Sequence, residues 1–571
     1  MDTSEILTRF KSGTLAREQA VTLLTGRPGA PAGEPPAGEP PAGPPPADAA
    51  PAHDTRPPTA PVPQPRRPVP DAYAITALHG WFPHADDLDA YWRLALTGDG
   101  ERRAAPLPDA DRFDAPFFGI APDTAPRLAP QERALLETVW RALEGAGYVG
   151  ARLDALTTAD GEPRSVGVFL AHGHLGAADD TAATARCGGA LPGRLSALLD
   201  LRGPSHCVDN GAPSFLTALH LATTALRTGD CAAALVAAVD AVPVACAGAV
   251  LVRPLAAARA AGDTVHAVVR GAAVAHAGRA APGDTDARLT RRARTAAGLA
   301  PTDPTDAAVC ETRDGAGDAG AATGFAALGR AVLQLGHGTL LPAPGRAAAV
   351  AWPRPRDPQG HPLPRRASVA VRGEHGAAAH VLLEEPPEHH PRTLDTVTTL
   401  SPEPHLILLS APTPLHLAAT ARRLADRLSA PGDPAAALPA LADLARELRI
   451  GRAALPCRLA LICRTTDEMA DRLREFAGTP DGAPGDPAHS ADLRGRGADD
   501  LLDAELPETA SYLAALRRGG HLAALARLWL AGVDVTRGEE THGRPVVPLP
   551  GSAMLPGPPG AARPTSDGLA R

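Results

Sequence analysis

The strongest constraint on the fold is a set of short, nearly continuous apolar runs that begins after residue 71. The runs at 165–171, 233–239 and 265–274 consist mainly of Ala, Val and Leu. Their length and composition are typical of strands. The segment 130–147, which precedes them, has the apolar spacing of a helix. This alternation predicts an α/β domain whose sheets are covered by helices.

The composition predicts ordered domains separated by spacers, since 56 Gly and 62 Pro occur among 571 residues. The Pro-rich stretch before residue 70 lacks apolar anchors and favours extended conformers, so it predicts a semi-rigid disordered linker. The predicted organisation is an N-terminal helical docking or dimerisation element (1–26), the linker (27–70), a large α/β domain (71–388), a small α/β domain (389–478), a flexible loop (479–499), and C-terminal helices with a wrap-back tail (500–571).

Charge and cysteine content exclude several classes of protein. The net charge of −8 argues against nucleic acid as the main partner. No apolar run is long enough to cross a membrane, and the first 26 residues lack a secretory signal. The seven cysteines are scattered without CxxC pairs. We therefore expect a soluble cytoplasmic protein with no metal site.

The segment that bears most directly on function is Gly203–Ala222, GPSHCVDNGAPSFLTALHLA. It predicts a short strand, a sharp turn and a helix that begins near Pro213, where a proline is harmless, and ends before Gly229. The interior of this helix is nearly all apolar, which predicts a buried helix.

The chain resembles the ketosynthases of type I modular polyketide synthases, of the kind that use separate acyltransferases, over nearly all of 71–386. The segments that carry the resemblance are GWFPHADDLDAYW, RFDAPFFGIAP with LAPQERALLETVWRALEGAG, LPGRLSALLDLRGPS before the turn, and GAAAHVLLEE. Residues 406–478 resemble the linker domain that follows such ketosynthases. The resemblance implies a thiolase-like, five-layered αβαβα ketosynthase fold, usually dimeric, followed by a small α/β linker domain.

The resemblance also implies where the chemistry of condensation would lie. In the family, a cysteine at a helix N-terminus accepts the acyl chain, and two histidines assist decarboxylation and condensation. Here the cysteine's position is Ala212, the first histidine's position is near Thr312 or Arg313, and the second histidine has no counterpart. We therefore predict no catalytic residues for condensation.

Other polar residues are candidates for lining a remodelled pocket. A structural role is the commoner alternative for each, with Cys207 as a small buried side chain, Ser214 as a structural hydroxyl and His380 as a core histidine. The candidates are Cys207, Asp209, Asn210, Ser214, Glu311, Arg313 and His380.

Three hypotheses for function remain open at this point. The first is a non-condensing scaffold, homodimeric or paired with an active ketosynthase in a heterodimer, in an antibiotic-type polyketide pathway. It would bind no cofactor itself but would meet the phosphopantetheine of a partner acyl carrier protein. The second is a repurposed enzyme that performs cyclisation or acyl transfer on a carrier-bound chain. The third is decay without function.

Overall fold

The structure is a computed structural model that describes residues 72–97, 112–173, 187–240, 245–279, 282–300, 307–312, 320–342, 348–387, 403–429, 439–478, 489–495, 506–541 and 545–557. For 187–190, 282 and 307–312 only the backbone is described. The predicted N-terminal element and the Pro-rich linker lie outside the described residues.

The strands are β1 (Tyr73–Trp81), β2 (Val166–His172), β3 (Ser205–Val208), β4 (Ala233–Asp240), β5 (Cys246–Pro254), β6 (Ala267–His276), β7 (Ala307–Thr312), β8 (Thr339–Leu340), β9 (Val350–Ala351), β10 (Arg366–Arg372), β11 (Ala377–Glu384), β12 (His405–Ala411), β13 (Cys457–Cys463) and β14 (Ser490–Asp492).

The α-helices are α1 (Leu88–Thr97), α2 (Pro130–Gly145), α3 (Ala151–Asp154), α4 (Cys187–Leu199), α5 (Ser214–Thr228), α6 (Leu255–Ala261), α7 (Pro282–Ala296), α8 (Thr323–His337), α9 (Pro414–Ser429), α10 (Leu441–Ile450), α11 (Thr466–Gly478), α12 (Pro507–Arg518) and α13 (Leu522–Leu530).

Nine strands form one hydrogen-bonded sheet in the order β3-β2-β4-β5-β1-β6-β11-β10-β7. In the first half β2 is parallel to β3 and β4, and β5 is antiparallel to both β4 and β1. In the second half β7 is parallel to β10, and β11 is antiparallel to both β10 and β6. The two similar halves meet where β1 pairs with β6.

Helices cover both faces of this sheet. Successive strand residues point to opposite sides, so each strand contributes side chains to the core on both faces. On β2, Phe169 and Ala171 join a core cluster that includes residues of α5 and α8. Val168 and Leu170 face the other way and join a cluster with residues of α2 and α4. All four β2 residues are at most 1% exposed. The prediction of a helix-covered sheet is confirmed.

The two halves differ at their outer edges. In the first half the chain passes from β2 through α4 to β3 and only then enters α5. In the second half residues 313–319 lead from β7 to the 3-10 turn (Gly320–Ala322) that precedes α8. A crossover to a further parallel strand takes about a dozen residues, more than this connection contains. Within the described residues, β7 is thus the edge strand of the second half. The first half has one further strand, β3, beyond β2.

The small domain is built on the antiparallel sheet β12-β13-β14. One face packs against α9, α10 and α11, and the other against α12 and α13. Strand β14 lies within the segment 479–499 that the sequence predicts as a flexible loop, and there Ser490 pairs with Leu459 and extends the sheet. Residues 479–488 and 496–499 lie outside the described residues. A polar strand of three residues has no hydrophobic period that would reveal it.

A buried ion pair and a buried hydrogen bond join the small domain to the large one. Arg152 donates to both carboxylate oxygens of Glu447, at 2.8 and 3.0 Å, and the two side chains are 2% and 4% exposed. His416 Nε2 lies 2.7 Å from Asp114 Oδ2, and the same carboxylate oxygen accepts the N–H of Leu555 in the C-terminal tail. The tail therefore contacts both domains.

None of the helices in the described part of the chain is long and apolar enough to span a bilayer.

Candidate functional site

The turn between β3 and α5 is closed by its own hydrogen bonds. The Asn210 N–H donates to Ser214 Oγ at 2.9 Å, and that hydroxyl donates to the Gly211 carbonyl at 2.6 Å. Gly211 has a φ of +73°, a conformation that glycine adopts without steric cost. Ser214 is fully buried, so its hydroxyl fixes the turn and is engaged in both directions.

Ala212 lies at the point where a nucleophile would meet the start of α5. Its methyl group packs against the large core, and one turn further on Phe215 is 0% exposed. The Phe215 ring meets Phe325 of α8 edge to face, with ring centroids 5.5 Å apart. Covalent capture of an acyl group needs an ionisable or hydroxyl group at this helix end. Ala212 has none.

Two further segments reach this end of the sheet. Asp240, the last residue of β4, accepts the N–H of Ala321 at 2.9 Å and so fixes the start of α8 beside β4. In the turn between β10 and β11, a Cβ on Gly373 would lie 3.1 Å from Pro213 Cδ, so the turn passes directly over the start of α5. It carries the exposed residues Glu374 and His375.

Sequence reasoning missed Asp240, Glu374 and His375 as neighbours of the turn. Asp240 had a weak signal, because it ends a predicted strand at the edge where the turn must lie. The β10–β11 turn had none, since only the pairing of β10 with β11 brings it there.

Cys207 is exposed, which corrects the expectation of a small buried side chain. It lies on β3, the outer strand of the first half, between the exposed His206 and the half-buried Val208. Partial burial, and then the carboxylate of Asp209, raise the pKa of the Cys207 thiol. Reactive cysteines have a lowered thiol pKa, so this thiol is not activated. An apolar pattern does not distinguish an edge strand from a central one, which is why the exposure was not foreseen.

Asp209 and Asn210 are exposed and bond within the turn. Asp209 Oδ1 accepts the Gly211 N–H at 3.4 Å, and Asn210 Nδ2 donates to Thr217 Oγ1 at 3.0 Å. Both side chains act locally on the entry to α5.

The candidates from the second half are less completely described. Glu311 and Thr312 are the last two residues of β7, where only the backbone is described, and Arg313 lies outside the described residues. For these residues the structure adds only the position of β7. This strand is the outer one on the far side of the sheet from β3.

His380 is separated from the turn, which corrects its grouping with the pocket candidates. On β11, Ala379 and Val381 face the core that contains α5, whereas Ala378 packs with α7 on the opposite face. His380 alternates onto that opposite face, where Nε2 lies 2.7 Å from Ser368 Oγ and Nδ1 lies 3.4 Å from Thr290 Oγ1. Burial, and then the charge of Arg294, lower the pKa of His380 to about 4. It is a neutral, hydrogen-bonded core histidine.

Within the described segments, no three His, Cys, Asp or Glu side chains are grouped closely enough to hold a metal ion.

Two family descriptions match this chain. Residues 98–267 match "Beta-ketoacyl synthase, N-terminal domain", and residues 408–479 match "RhiE-like, KS-MAT linker domain". The first match ends in β6, and the second covers most of the small domain.

Curated relatives are much longer than this chain. Polyketide synthase ThaG of Burkholderia thailandensis is 33% identical in an alignment of 432 positions that covers 55% of this chain and 8% of that protein. Polyketide synthase PksN of Bacillus subtilis is 27% identical in an alignment of 540 positions that covers 71% of this chain and 10% of that protein. The chain thus spans a small part of the relatives that it matches.

Solved ketosynthase structures match in fold over most of both chains. The oxazolomycin ketosynthase domain OzmH KS7 of Streptomyces albus gives a TM-score of 0.64 at 25% identity and covers 86% of this chain and 98% of that one. The ketosynthase from module 6 of the bacillaene synthase of Bacillus subtilis gives 0.64 at 21% identity, over 85% and 99% of the two chains. The fold is therefore the thiolase-like mixed α/β fold, with a linker domain attached.

Proposed function

Because this chain is homologous to the ketosynthase domains of polyketide synthases and carries their linker domain, we propose that it acts in a polyketide pathway as a non-condensing partner. In this role it pairs with an active ketosynthase and receives acyl carrier proteins. The phosphopantetheine arm comes from the carrier protein. This chain supplies no nucleophile; it provides a binding surface that orients the carrier protein relative to the active ketosynthase.

The observation that carries this proposal is the turn before α5. The residue at the helix start is Ala212, and the neighbouring hydroxyl of Ser214 is buried and bonded on both sides. The nearest thiol in the sequence, Cys207, is on an edge strand with a raised pKa. Removing one member of a catalytic unit costs several orders of magnitude in turnover, and here the nucleophile itself is replaced.

The connection after β7 supports the same conclusion. By alignment with the family, Thr312 or Arg313 occupies the first histidine's place. Arginine stays protonated at neutral pH and cannot exchange a proton in catalysis. The sequence places only residues 313–322 between β7 and α8, and a crossover to a further parallel strand takes about a dozen residues. On this proposal, the segment that carries the family's second histidine is missing.

Strand β3 supports association with another chain. Within the part of the chain that the structure describes, it pairs with β2 on one side only, and its residues Ser205, His206 and Cys207 are exposed. An exposed edge strand offers unpaired backbone groups that a second strand can satisfy. We assign this edge to the partner ketosynthase, with pairing of two copies of this chain as the other arrangement that the test resolves.

The test mixes the full chain with the pathway's ketosynthases and carrier proteins and follows both association and Cys207. Native mass spectrometry should show a complex of this chain with a ketosynthase. Maleimide labelling of Cys207 should slow at least about fivefold in that complex, because pairing covers β3. His206→Glu should weaken the complex at least about tenfold by placing a charge at the interface. The matched control, His375→Glu on an exposed turn, should leave it unchanged.

The other outcomes are equally decisive. Association of two identical copies with the same protection of Cys207 would replace the heterodimer by a homodimer. Chemical conversion of a carrier-bound chain without any association would favour a repurposed enzyme instead. Absence of association and of conversion would contradict the proposal.

A further inference from the structure

A large apolar pocket lies outside the region of Ala212 and is lined by several separate parts of the chain. It has a volume of about 910 Å³. Its walls come from the loop 113–122, the end of α4, turns of the small domain and the tail at 555–557. Leu199 and Trp140 of its lining belong to or pack against the core cluster on the α2 and α4 face of the sheet, whereas Ala212 packs on the α5 face. The pocket is thus independent of the turn.

Aromatic side chains are concentrated around this pocket. The chain has nine Phe, five Trp and four Tyr in 571 residues, yet Phe113, Phe117, Phe118 and Trp140 all line this one space. The Phe117 and Trp140 rings meet edge to face at 5.1 Å, and Phe113 stacks on Phe118 at 5.4 Å. A pocket of this size and lining is typical of sites for small apolar molecules.

Two large hydrophobic side chains are left exposed at the same place. Leu198 is 40% exposed and Leu555 is 39% exposed, and both line the pocket. Apolar surface in contact with water favours any ligand that covers it.

The polar groups of the pocket limit what that ligand can be. Arg494 is the single charged side chain in the lining, and its Nε and Nη2 bond the Asp492 carboxylate, with Nη2 at 2.6 Å from Oδ2. The Thr413 hydroxyl bonds His416 Nδ1 at 2.6 Å. Because Thr413 is engaged and the Arg494 guanidinium is shared with Asp492, a ligand that is polar along its length would lose hydration without gaining enough partners. A single oxygen-bearing end can still approach the guanidinium and the Trp140 Nε1–H, which is buried without a hydrogen-bond partner in the described part of the chain. An apolar body with one oxygen-bearing end at the Arg494 guanidinium fits the lining.

The walls are held in place before any ligand arrives. Asp114 is bonded to His416 of the small domain and to the N–H of Leu555 in the tail, and Arg112 Nη2 donates to the Pro556 carbonyl at 2.7 Å. Preorganised walls reduce the conformational cost of binding.

We propose that this pocket is a binding site for a medium-length aliphatic chain that ends in a carboxylate or carbonyl, with the apolar chain against the Phe and Trp rings and the oxygens at Arg494. The inference does not rest on the proposed function, since it concerns other residues on another face of the sheet.

The test uses decanoate and decanol as probes of the full-length chain, measured by calorimetry and by displacement of an environment-sensitive dye. We expect saturable one-to-one binding of both probes. Leu198→Asp should weaken both at least about tenfold, because it puts a charge in the apolar wall. The matched control is Leu96→Asp, another helical leucine, 39% exposed and outside the pocket lining, which should stay within about twofold of the parent chain.

Arg494→Gln distinguishes the contribution of the ligand's oxygen-bearing end from that of its apolar chain. It should weaken decanoate at least about fivefold and leave decanol within about twofold, because only the carboxylate gains from the guanidinium charge. A second variant, Ala121→Trp, fills the pocket from an exposed position without touching the core and should abolish binding of both probes. Equal affinity in the parent chain, Leu198→Asp and Ala121→Trp, or no saturable binding of either probe, would overturn the proposal.

Discussion

At the scale of single residues, the role of each candidate follows from whether its polar atoms are already bonded. Ser214 and His380 are buried with hydrogen-bonded partners, and Cys207 carries a thiol whose pKa is raised. None of these three has the freedom or the activation that a nucleophile or general base needs. In the proposed role, the residue that distinguishes this chain from a condensing ketosynthase is Ala212.

Restoring a thiol at Ala212 should separate acyl capture from condensation. In Ala212→Cys the new thiol would lie at the start of α5, where the helix dipole favours a thiolate. We expect a covalent acyl adduct with a thioester substrate, seen as a mass increase of the intact protein. Condensation with malonyl carrier should remain undetectable, because the proposed role includes no histidine pair that would assist decarboxylation. The background variant Cys207→Ser excludes labelling of the edge-strand thiol, and a condensation product from Ala212→Cys would contradict this account.

Buried histidines should make the stability of the protein depend on pH. The pKa of His380 is lowered to about 4 by burial and then by Arg294, whereas in the unfolded chain it has the ordinary value of 6.5. Between pH 6.5 and about pH 4, His380 is therefore protonated in the unfolded state but neutral in the folded state. The free energy of unfolding falls as the pH falls through this range. From pH 7.5 to pH 5 the loss for this one group is about 2 kcal/mol.

Urea unfolding of the chain and of His380→Gln at pH 7.5 and pH 5 measures this contribution. The stability lost between the two pH values should be smaller in the variant by about 2 kcal/mol. The exposed His375, changed to Gln, is the control. Equal losses in all three proteins would show that His380 is not held neutral in the folded state.

At the scale of elements, the sequence predicted the strands and helices that have their own periodic pattern. It missed features that depend on which strands lie next to each other. The apolar runs predicted β2, β4 and β6, and the helix signals predicted α2 and α5 with its C-terminal glycine, because each element carries its own period and end residues. The polar strand β14 and the exposure of Cys207 were missed because both depend on a place in a sheet.

Helix α5 shows the same limit within one element. Its nearly apolar sequence predicted burial all round, but Leu221 is 41% exposed. Which strands pair, and which helix faces are covered by other elements, depend on residues that are distant in the sequence. A local sequence pattern therefore does not predict them.

The ion pair that joins the two domains should make a large contribution to their attachment. Glu447→Ala leaves the buried Arg152 without its carboxylate, and breaking such a pair costs about 3–5 kcal/mol. The exposed pair between Arg474 and Asp471 is the matched control, and Asp471→Ala should change stability by less than about 0.5 kcal/mol. Hydrogen exchange should quicken in α3 and α10 of the first variant only. Similar behaviour of the two variants would mean that the domains are held by other contacts.

At the scale of the whole molecule, the mixed α/β fold of a ketosynthase is present with a linker domain attached. The fold, the interdomain ion pair and hydrogen bond, and the wrap-back tail all concern how the parts are held together. The proposed non-condensing role rests on the turn before α5 and on the connection after β7. On that proposal, the chain binds partners and holds them in a fixed relation.

The most direct test of this account is a condensation assay on the unmodified chain. The chain is mixed with an acyl-loaded carrier protein and a malonyl-loaded carrier protein, and the carrier-bound products are identified by mass spectrometry against a protein-free control and an active ketosynthase of the same pathway. The account predicts no β-ketoacyl product above the protein-free control, while the active ketosynthase forms it. A β-ketoacyl product that requires this chain and is lost when the chain is heat-denatured would contradict it.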